Sequence, residues 1–480
     1  MKNNFIKVST LIIAAVLTFT ACDTIDFKDT NVNNNDPSNP TPASLLTNAE
    51  RSISDYVGAA TPNLYVQYIS NGQYPDESQY GTLNWSFNGW YAILNDLNGV
   101  IKLNSNEETA VSSLAGGSNA NQIAAATILR VYILETMTLR WGRIPYTEAL
   151  EGTDNIYPAY DSQESIYNGL FEELDYALSV IDNGNGPTGD FIFEGDMDKW
   201  ATFGNTLKMV MALRLSEADP TLGASMFNEA LGSVISSNSE NLFYPYLADE
   251  NNDNPWEDRF YAPNFRRDYA VSDTFVDNLI GSGTVDTPED PRLFEMAEPV
   301  NSNGDFIGAP YGQQNSAIND YSFITQNIIN NQTAPLYIFT YSEVLFARAE
   351  AAELGWTSED AESLYEQAIQ ASMDQWGVEP SDATAYINAN PYTGIKSISY
   401  EKWVSLYLQG YEAWAEWRRM LASGNEVELQ IPSTLLSGAT GIPNRQAYSA
   451  TAGDLNEEAY NEAIAAQGPD DLNTILWIFE

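Results

Sequence analysis

Residues 400–420 read YEKWVSLYLQGYEAWAEWRRM. Trp403, Leu406, Tyr407, Gly410, Trp414 and Trp417 fall at i, i+3, i+4, i+7, i+11 and i+14, which is one face of one helix. An aromatic stripe at this spacing packs into a core, so these tryptophans are read as structural and not as ligand contacts. The same periodicity predicts helices over 44–57, 88–103, 121–139, 164–182, 197–217, 222–236, 342–354, 358–375 and 400–421. Strand-like runs are few and short, so the chain is mainly α.

Two stretches repeat. In SEVLFARAEAAELGWTSEDAESLYEQAIQAS (342–372), Ala349, Ala361, Tyr365 and Ala368 have the small, small, aromatic, small spacing of a tetratricopeptide helix pair. GASMFNEA (223–230) repeats the second-helix part with Gly223, Phe227 and Ala230. Small residues let paired helices approach and the aromatic fills the gap between them. The expected architecture is a superhelix of such pairs supporting an irregular lobe. That lobe is assigned to about 237–333, which is rich in Asn, Asp, Pro, Gly and aromatics and weakly periodic. Such a long loop-rich region in a folded chain is expected to be functional.

The only cysteine, Cys22, stands in LTFTACDTIDF (17–27). Lys2 and Lys7 precede an apolar run from Val8 to Phe19, with Thr20 and Ala21 before the cysteine. The apolar run is too short to span a bilayer and reads as a signal segment. The order apolar, small, small, Cys resembles a bacterial lipoprotein signal. That resemblance implies acylation of Cys22 as the mature N-terminus, and two or more acyl chains anchor stably. The expected division is a signal over 1–21, a lipidated polar tether over 22–43 and one domain over 44–480.

Composition removes whole classes of chemistry. There is no histidine, and no second cysteine for a disulfide or thiolate metal site. Ser-His-Asp and Cys-His catalysis and His-based zinc or iron sites are excluded. Without residues 1–21 the chain has 19 Lys plus Arg against 66 Asp plus Glu, a net charge near −47. Such a surface repels phosphate backbones, so nucleic acid is excluded as a partner. It repels anionic lipid as well, so membrane contact must come from the acyl chains.

The 400–420 helix, followed by IPNRQAYS (442–449) and DDLNTILWIF (470–479), resembles the SusD/RagB family of surface glycan-binding lipoproteins, in the subgroup with an EAW-x-x-WRR helix. ATILRVYILETMTLRWGRIPYTEAL (126–150), YSEVLFARAEAAELG (341–355) and GWYAILNDLNGVI (89–101) are similar to further family segments, in the same order. Asp23, Asp26 and Asp29 after Cys22 resemble a surface-export signal of such lipoproteins. The resemblance implies a right-handed superhelix of tetratricopeptide-like helix pairs, an outer-membrane location facing the cell surface, and no catalysis. It implies an oligosaccharide ligand, in some members a peptide, delivered to a SusC-like TonB-dependent transporter.

A glycan site needs exposed flat rings for the C–H faces of sugars and planar polar groups for their hydroxyls, on loops held by a rigid scaffold. Two stretches qualify. NGQYPDESQYGTLNWSFNGW (71–90) offers Tyr74, Tyr80, Asn84 and Trp85; Trp90 begins the next helix and is read as core. DNPWEDRFYAPNFRRDY (253–269) offers Trp256, Tyr261, Phe265, Arg266 and Arg267. The two loops are expected to form one platform. A neutral β-glucan such as laminarin is the expected ligand, because a chain this acidic has one local basic cluster for a polyanionic sugar. DENNDNPWED (249–258) and DNGNGPTGD (182–190) could supply oxygen ligands for Ca2+, but neither has EF-hand spacing and polar turns explain them better. The rival from another class is a carboxylate-dependent glycoside hydrolase on a helical toroid.

Overall fold

A computed structural model describes residues 40–261, 264–283, 288–314 and 318–480. Cys22 and the tether up to residue 39 lie outside the described residues. The long helices are α1 (Pro42–Ser52), α2 (Asn88–Ser105), α3 (Asn119–Trp141), α4 (Gln163–Val180), α5 (Met197–Arg214) and α6 (Pro220–Ala230). The short helices of the lobe include α7 (Pro255–Phe260) and α8 (Gln326–Ile329). The scaffold then resumes with α9 (Tyr341–Glu353), α10 (Ala361–Trp376), α11 (Pro380–Ala389), α12 (Ile395–Ser405), α13 (Gly410–Ser423) and α14 (Glu457–Gln467). Sequence periodicity did not announce α11 and α14, whose exposed faces leave few apolar positions to count.

Successive helices pair: α2 with α3, α3 with α4, α5 with α6, and α9 with α10. Side-chain caps set several starts. Ser162, Asp196, Asp219, Thr340 and Asp360 each accept a backbone N–H of the first turn. The repeat spacing reads as packing, since Ala349, Tyr365 and Ala368 are wholly buried between α9 and α10. Gly223 lets α6 meet the end of that hairpin. A Cβ there would lie 2.7 Å from the Ala212 carbonyl oxygen and 2.8 Å from the Trp356 ring. Phe227 then packs edge-on against Trp356 at 5.9 Å.

The helix expected over 400–421 is two helices. The chain turns between α12 and α13 at Leu406–Gln409, with Leu408 in the left-handed region at φ +67°. A Cβ on Gly410 would come within 2.8 Å of the Asn63 backbone nitrogen, so only glycine lets the short helix Ala60–Tyr65 seat on the start of α13. All six stripe residues are nevertheless buried. Trp403, Trp414 and Trp417 donate their indole N–H groups to the carbonyls of Val66, Pro443 and Val427 at 3.0, 2.8 and 2.9 Å. The paired arginines of the motif are structural too. Arg418 lies 3.7 Å over the Trp414 ring and donates to the Leu139 and Asn444 carbonyls, while Arg419 bridges Glu350 and Glu416 inside the core.

Between α6 and α9 the described lobe holds only short helices, of seven residues or fewer, and short strands. Two antiparallel ladders organise it. β1 (Ile69–Asn71) pairs with β3 (Tyr269–Val271), and β2 (Leu242–Tyr244) pairs with β4 (Leu336–Phe339).

Candidate functional site

The β1–β3 ladder brings the two expected loops together, with Asn71 opposite Tyr269 and Gly72 N–H donating to the Asp268 carbonyl at 3.1 Å. Glu77 locks the junction by accepting from Asn71 Nδ2 at 3.0 Å and from the Tyr269 hydroxyl at 2.7 Å. Asn71 Oδ1 takes the backbone N–H groups of Gln73 and Tyr74, which fixes the turn that presents Tyr74. The Tyr74 ring is 42% exposed, and the Arg266 guanidinium carbon lies 4.9 Å from its centroid. Arg266 is held in turn by Asp268 at 2.7 Å. Phe265, at φ +50°, is 72% exposed beside it. Tyr261 is half-buried and donates to Gln326 Oε1 at 2.9 Å, and exposed Arg267 lies 5.5 Å over the Phe323 ring. The result is a surface of flat rings interleaved with guanidinium groups, which offers stacking faces and planar donors together.

Four expected contacts are placed elsewhere. Trp256 is wholly buried, because residues 255–260 are a helix and not a loop. Asn254 caps α7 by accepting Trp256 N–H at 2.8 Å, and Pro255 takes its first turn. The Trp256 ring is then enclosed between Tyr269, edge-on at 6.0 Å, and the Arg259 guanidinium at 4.5 Å. Tyr80 is also buried. Its backbone sits at φ +62°, which turns the ring inward against Tyr65 at 5.7 Å. Asn84 and Trp85 run beside the C-terminal segment instead of joining Tyr74. Trp85 N–H donates to the Ala447 carbonyl at 3.0 Å, and exposed Asn84 spends its amide on the Tyr448 carbonyl at 2.7 Å. Trp90 is part of the packing, edge-on to Tyr56 at 5.5 Å. Spacing missed Glu77, Phe323 and Gln326. Nothing local distinguishes Phe323 and Gln326, which reach the surface through tertiary contact.

The family described as starch-binding and associating with the outer membrane matches residues 34–448. The chain belongs to the SusD-like family. Solved structures agree in fold. A chitin-binding protein is 25% identical, with a TM-score of 0.79, covering 92% of this chain and 100% of its own. A SusD homologue from Bacteroides fragilis NCTC 9343 is 22% identical, with a TM-score of 0.78 and the same coverage. A chitin-binding SusD homologue from Flavobacterium johnsoniae is 21% identical, with a TM-score of 0.71, covering 92% of this chain and 98% of its own. No curated protein matches the chain.

On this SusD-like scaffold the two acidic stretches differ. In 182–190, Asp190 accepts four N–H groups, from Ile192, Phe193, Gly195 and the Trp200 indole, and Asp182 accepts from Ser118 and Gly184. Both carboxylates are thus engaged by donors of the turns around them. In 249–258, one oxygen each of Glu250, Asp253 and Asp258 lies within 4.8 Å of the others. Gln332 Nε2 bridges Asp253 and Glu250 at 2.9 and 3.2 Å. Burial, and then the neighbouring acids, push the Glu257 and Asp258 carboxyls above the usual carboxylate range. The donors are of the hard oxygen type that Ca2+ takes.

Proposed function

We propose that this chain is a non-catalytic, cell-surface glycan-binding lipoprotein. In this reading it captures a neutral β-linked oligosaccharide on the Tyr74–Arg266–Phe265 surface and hands it to a SusC-like TonB-dependent transporter. The observation that carries the reading is the pair of exposed rings joined across the β1–β3 ladder, with Arg266 against Tyr74. Membership of an outer-membrane, starch-binding family supports the role, and the chitin-binding proteins of similar fold make chito-oligosaccharides a first probe beside laminarin. The net charge near −47 without residues 1–21 argues against an acidic sugar. Cys22 would hold the protein to the membrane.

The test is calorimetry and affinity electrophoresis on both glycans. Binding without released reducing ends supports the reading. Released reducing ends would favour the hydrolase, and binding of peptides alone would favour a peptide-capturing member. Cys22→Ala should leave a folded protein that no longer sediments with outer membranes after a salt wash. Co-purification of the wild type with a SusC-like barrel would support delivery, and its absence from a membrane extract that holds both proteins would count against it.

A further inference from the structure

The helical scaffold carries a groove of about 610 Å3, within the roughly 300–1,000 Å3 of small-molecule pockets. Its walls are the end of α2, the middle of α3, the turn at Tyr146 and Thr147, and one face of α4. It shares no residue with the β1–β3 surface. On α4, Asn168 and Tyr176 stand at i and i+8, in one row along the helix, and both are exposed. The Tyr176 ring is 54% exposed. A single bare ring means little. What surrounds this one is arranged.

A Cβ on Gly169 would lie 2.4 Å from the Tyr146 hydroxyl oxygen, so glycine lets that ring lie against α4. The Tyr146 hydroxyl donates to Glu173 Oε1 at 2.8 Å, and Arg130 Nε and Nη2 reach Glu173 Oε2 at 3.0 and 2.6 Å. The carboxylate thus fixes the guanidinium plane and neutralises it, while Nη1 is left without a partner and is not sealed from solvent. Thr127, on α3, lines the same groove and is 3% exposed. A threonine inside a helix commonly returns its hydroxyl to the preceding turn. Thr202 does so to the Asp198 carbonyl at 2.9 Å, and Thr206 to the Thr202 carbonyl at 2.8 Å. The Thr127 hydroxyl makes no hydrogen bond among the described residues. It is not one of the sealed polar atoms either, so the surface it keeps opens on the groove.

These groups define what would satisfy them. Arg130 Nη1 donates, the Asn168 amide and the Thr127 hydroxyl both donate and accept, and the Tyr176 ring offers a flat apolar face. A sugar ring meets all of these with its hydroxyls and its C–H face. The guanidinium is already neutralised by Glu173 and exposed Glu172 adds a negative charge, so an anion is not favoured. An extended peptide would find no backbone to pair with. The walls are mostly helix, and the Tyr146 and Thr147 N–H groups both go to Asp161 Oδ2 at 3.0 Å. We propose that this groove is a second glycan-binding site, taking a neutral sugar chain on Tyr176, Asn168, Arg130 and Thr127. For the class of ligand it rests on the glycan reading above; its residues are separate from the platform.

The test uses the full folded chain with laminarin oligosaccharides and chito-oligosaccharides, by calorimetry and saturation-transfer NMR. A Tyr74→Ala/Phe265→Ala double variant, which removes the platform, should keep residual binding. Adding Tyr176→Ala or Asn168→Ala to it should weaken that binding about tenfold, and adding Tyr176→Phe, which keeps the ring, should not. Thr127→Val keeps the shape and removes the open hydroxyl. It should weaken the residual binding about fivefold and leave the melting temperature unchanged or raised. No residual binding in the double variant of a protein that binds as wild type would overturn the groove and leave the platform standing. Residual binding indifferent to Tyr176→Ala and Asn168→Ala would overturn it as well. Wild-type binding that survives the double variant in full and is lost with Tyr176→Ala would keep the groove and overturn the platform. No binding of either glycan by the wild type would overturn both. Loss of a co-purifying barrel in Tyr176→Ala, with glycan binding unchanged, would make the groove a protein contact and overturn the assignment.

Discussion

The scaffold and the lobe are both rich in aromatic side chains, and they dispose of them by different rules. On α12 and α13, Trp403, Trp414 and Trp417 are all buried, and each indole N–H meets a backbone carbonyl. In the lobe, two rings nine positions apart have opposite fates: Trp256 is wholly enclosed, while Phe265 is 72% exposed. Where a helical period exists, position along it decides environment. Where a cap or a single left-handed residue decides the backbone, spacing carries no such information.

The sharpest way to break this comparison is Trp256→Ala. It should cost about 3–5 kcal/mol of stability in urea unfolding, as should Trp414→Ala. An unchanged midpoint with lost glycan affinity would make Trp256 a ligand contact after all.

A second test falls on the scaffold side. Glu50, on α1, is pushed up to about 9, first by burial and then by the charge of Asp190. A carboxyl raised in the folded state contributes fully below its ordinary value of 4.5, and that contribution is lost as pH rises towards about 9. Between about pH 5 and about pH 9 the wild type should therefore lose stability relative to Glu50→Gln, by at most about 1.4 kcal/mol per pH unit. Parallel melting curves across that range would mean that the carboxyl is solvated.

On the lobe side, Tyr74→Ala and Phe265→Ala should each weaken glycan binding by about 1–3 kcal/mol and shift stability by less than about 0.5 kcal/mol. Calorimetry beside urea melts separates the two quantities. The smallest effect concerns salt. Affinity for a neutral glycan should change less than about twofold up to about 0.5 M salt. A collapse would instead place an acidic sugar against Arg266 and Arg267.

The helices were legible because their apolar residues recur at 3.6-residue spacing, and the repeat signature located the α9–α10 pair and its echo in α6. The break before Gly410 was not legible. The stripe keeps its spacing across Leu406–Gln409, and the turn there runs through Leu408 at φ +67°, which its side chain does not announce. For Trp256 the signal was present and was outweighed by its aromatic neighbours. Asn254 and Pro255 followed by Glu257 and Asp258 is a helix start. Tyr74, Phe265 and Arg266 do lie exposed, as turn-rich loops allow. Tyr80 was lost to a positive φ that its side chain does not announce.

The β1–β3 ladder also bears on how the chain acquires its activity. Its three residue pairs, Ile69 with Val271, Ser70 with Ala270 and Asn71 with Tyr269, join positions about two hundred residues apart. Helix hairpins close local loops and form early, whereas a three-rung ladder of such separation must wait until much of the intervening chain is organised. Refolding should thus pass through a state with nearly all its helix and no competence for ligand. Stopped-flow experiments should show far-ultraviolet ellipticity returning before glycan-induced fluorescence, and simultaneous recovery would mean that the two loops find each other at the start. Ligand capture on the proposed surface would then report the completion of folding, because that surface does not exist in any half-assembled form.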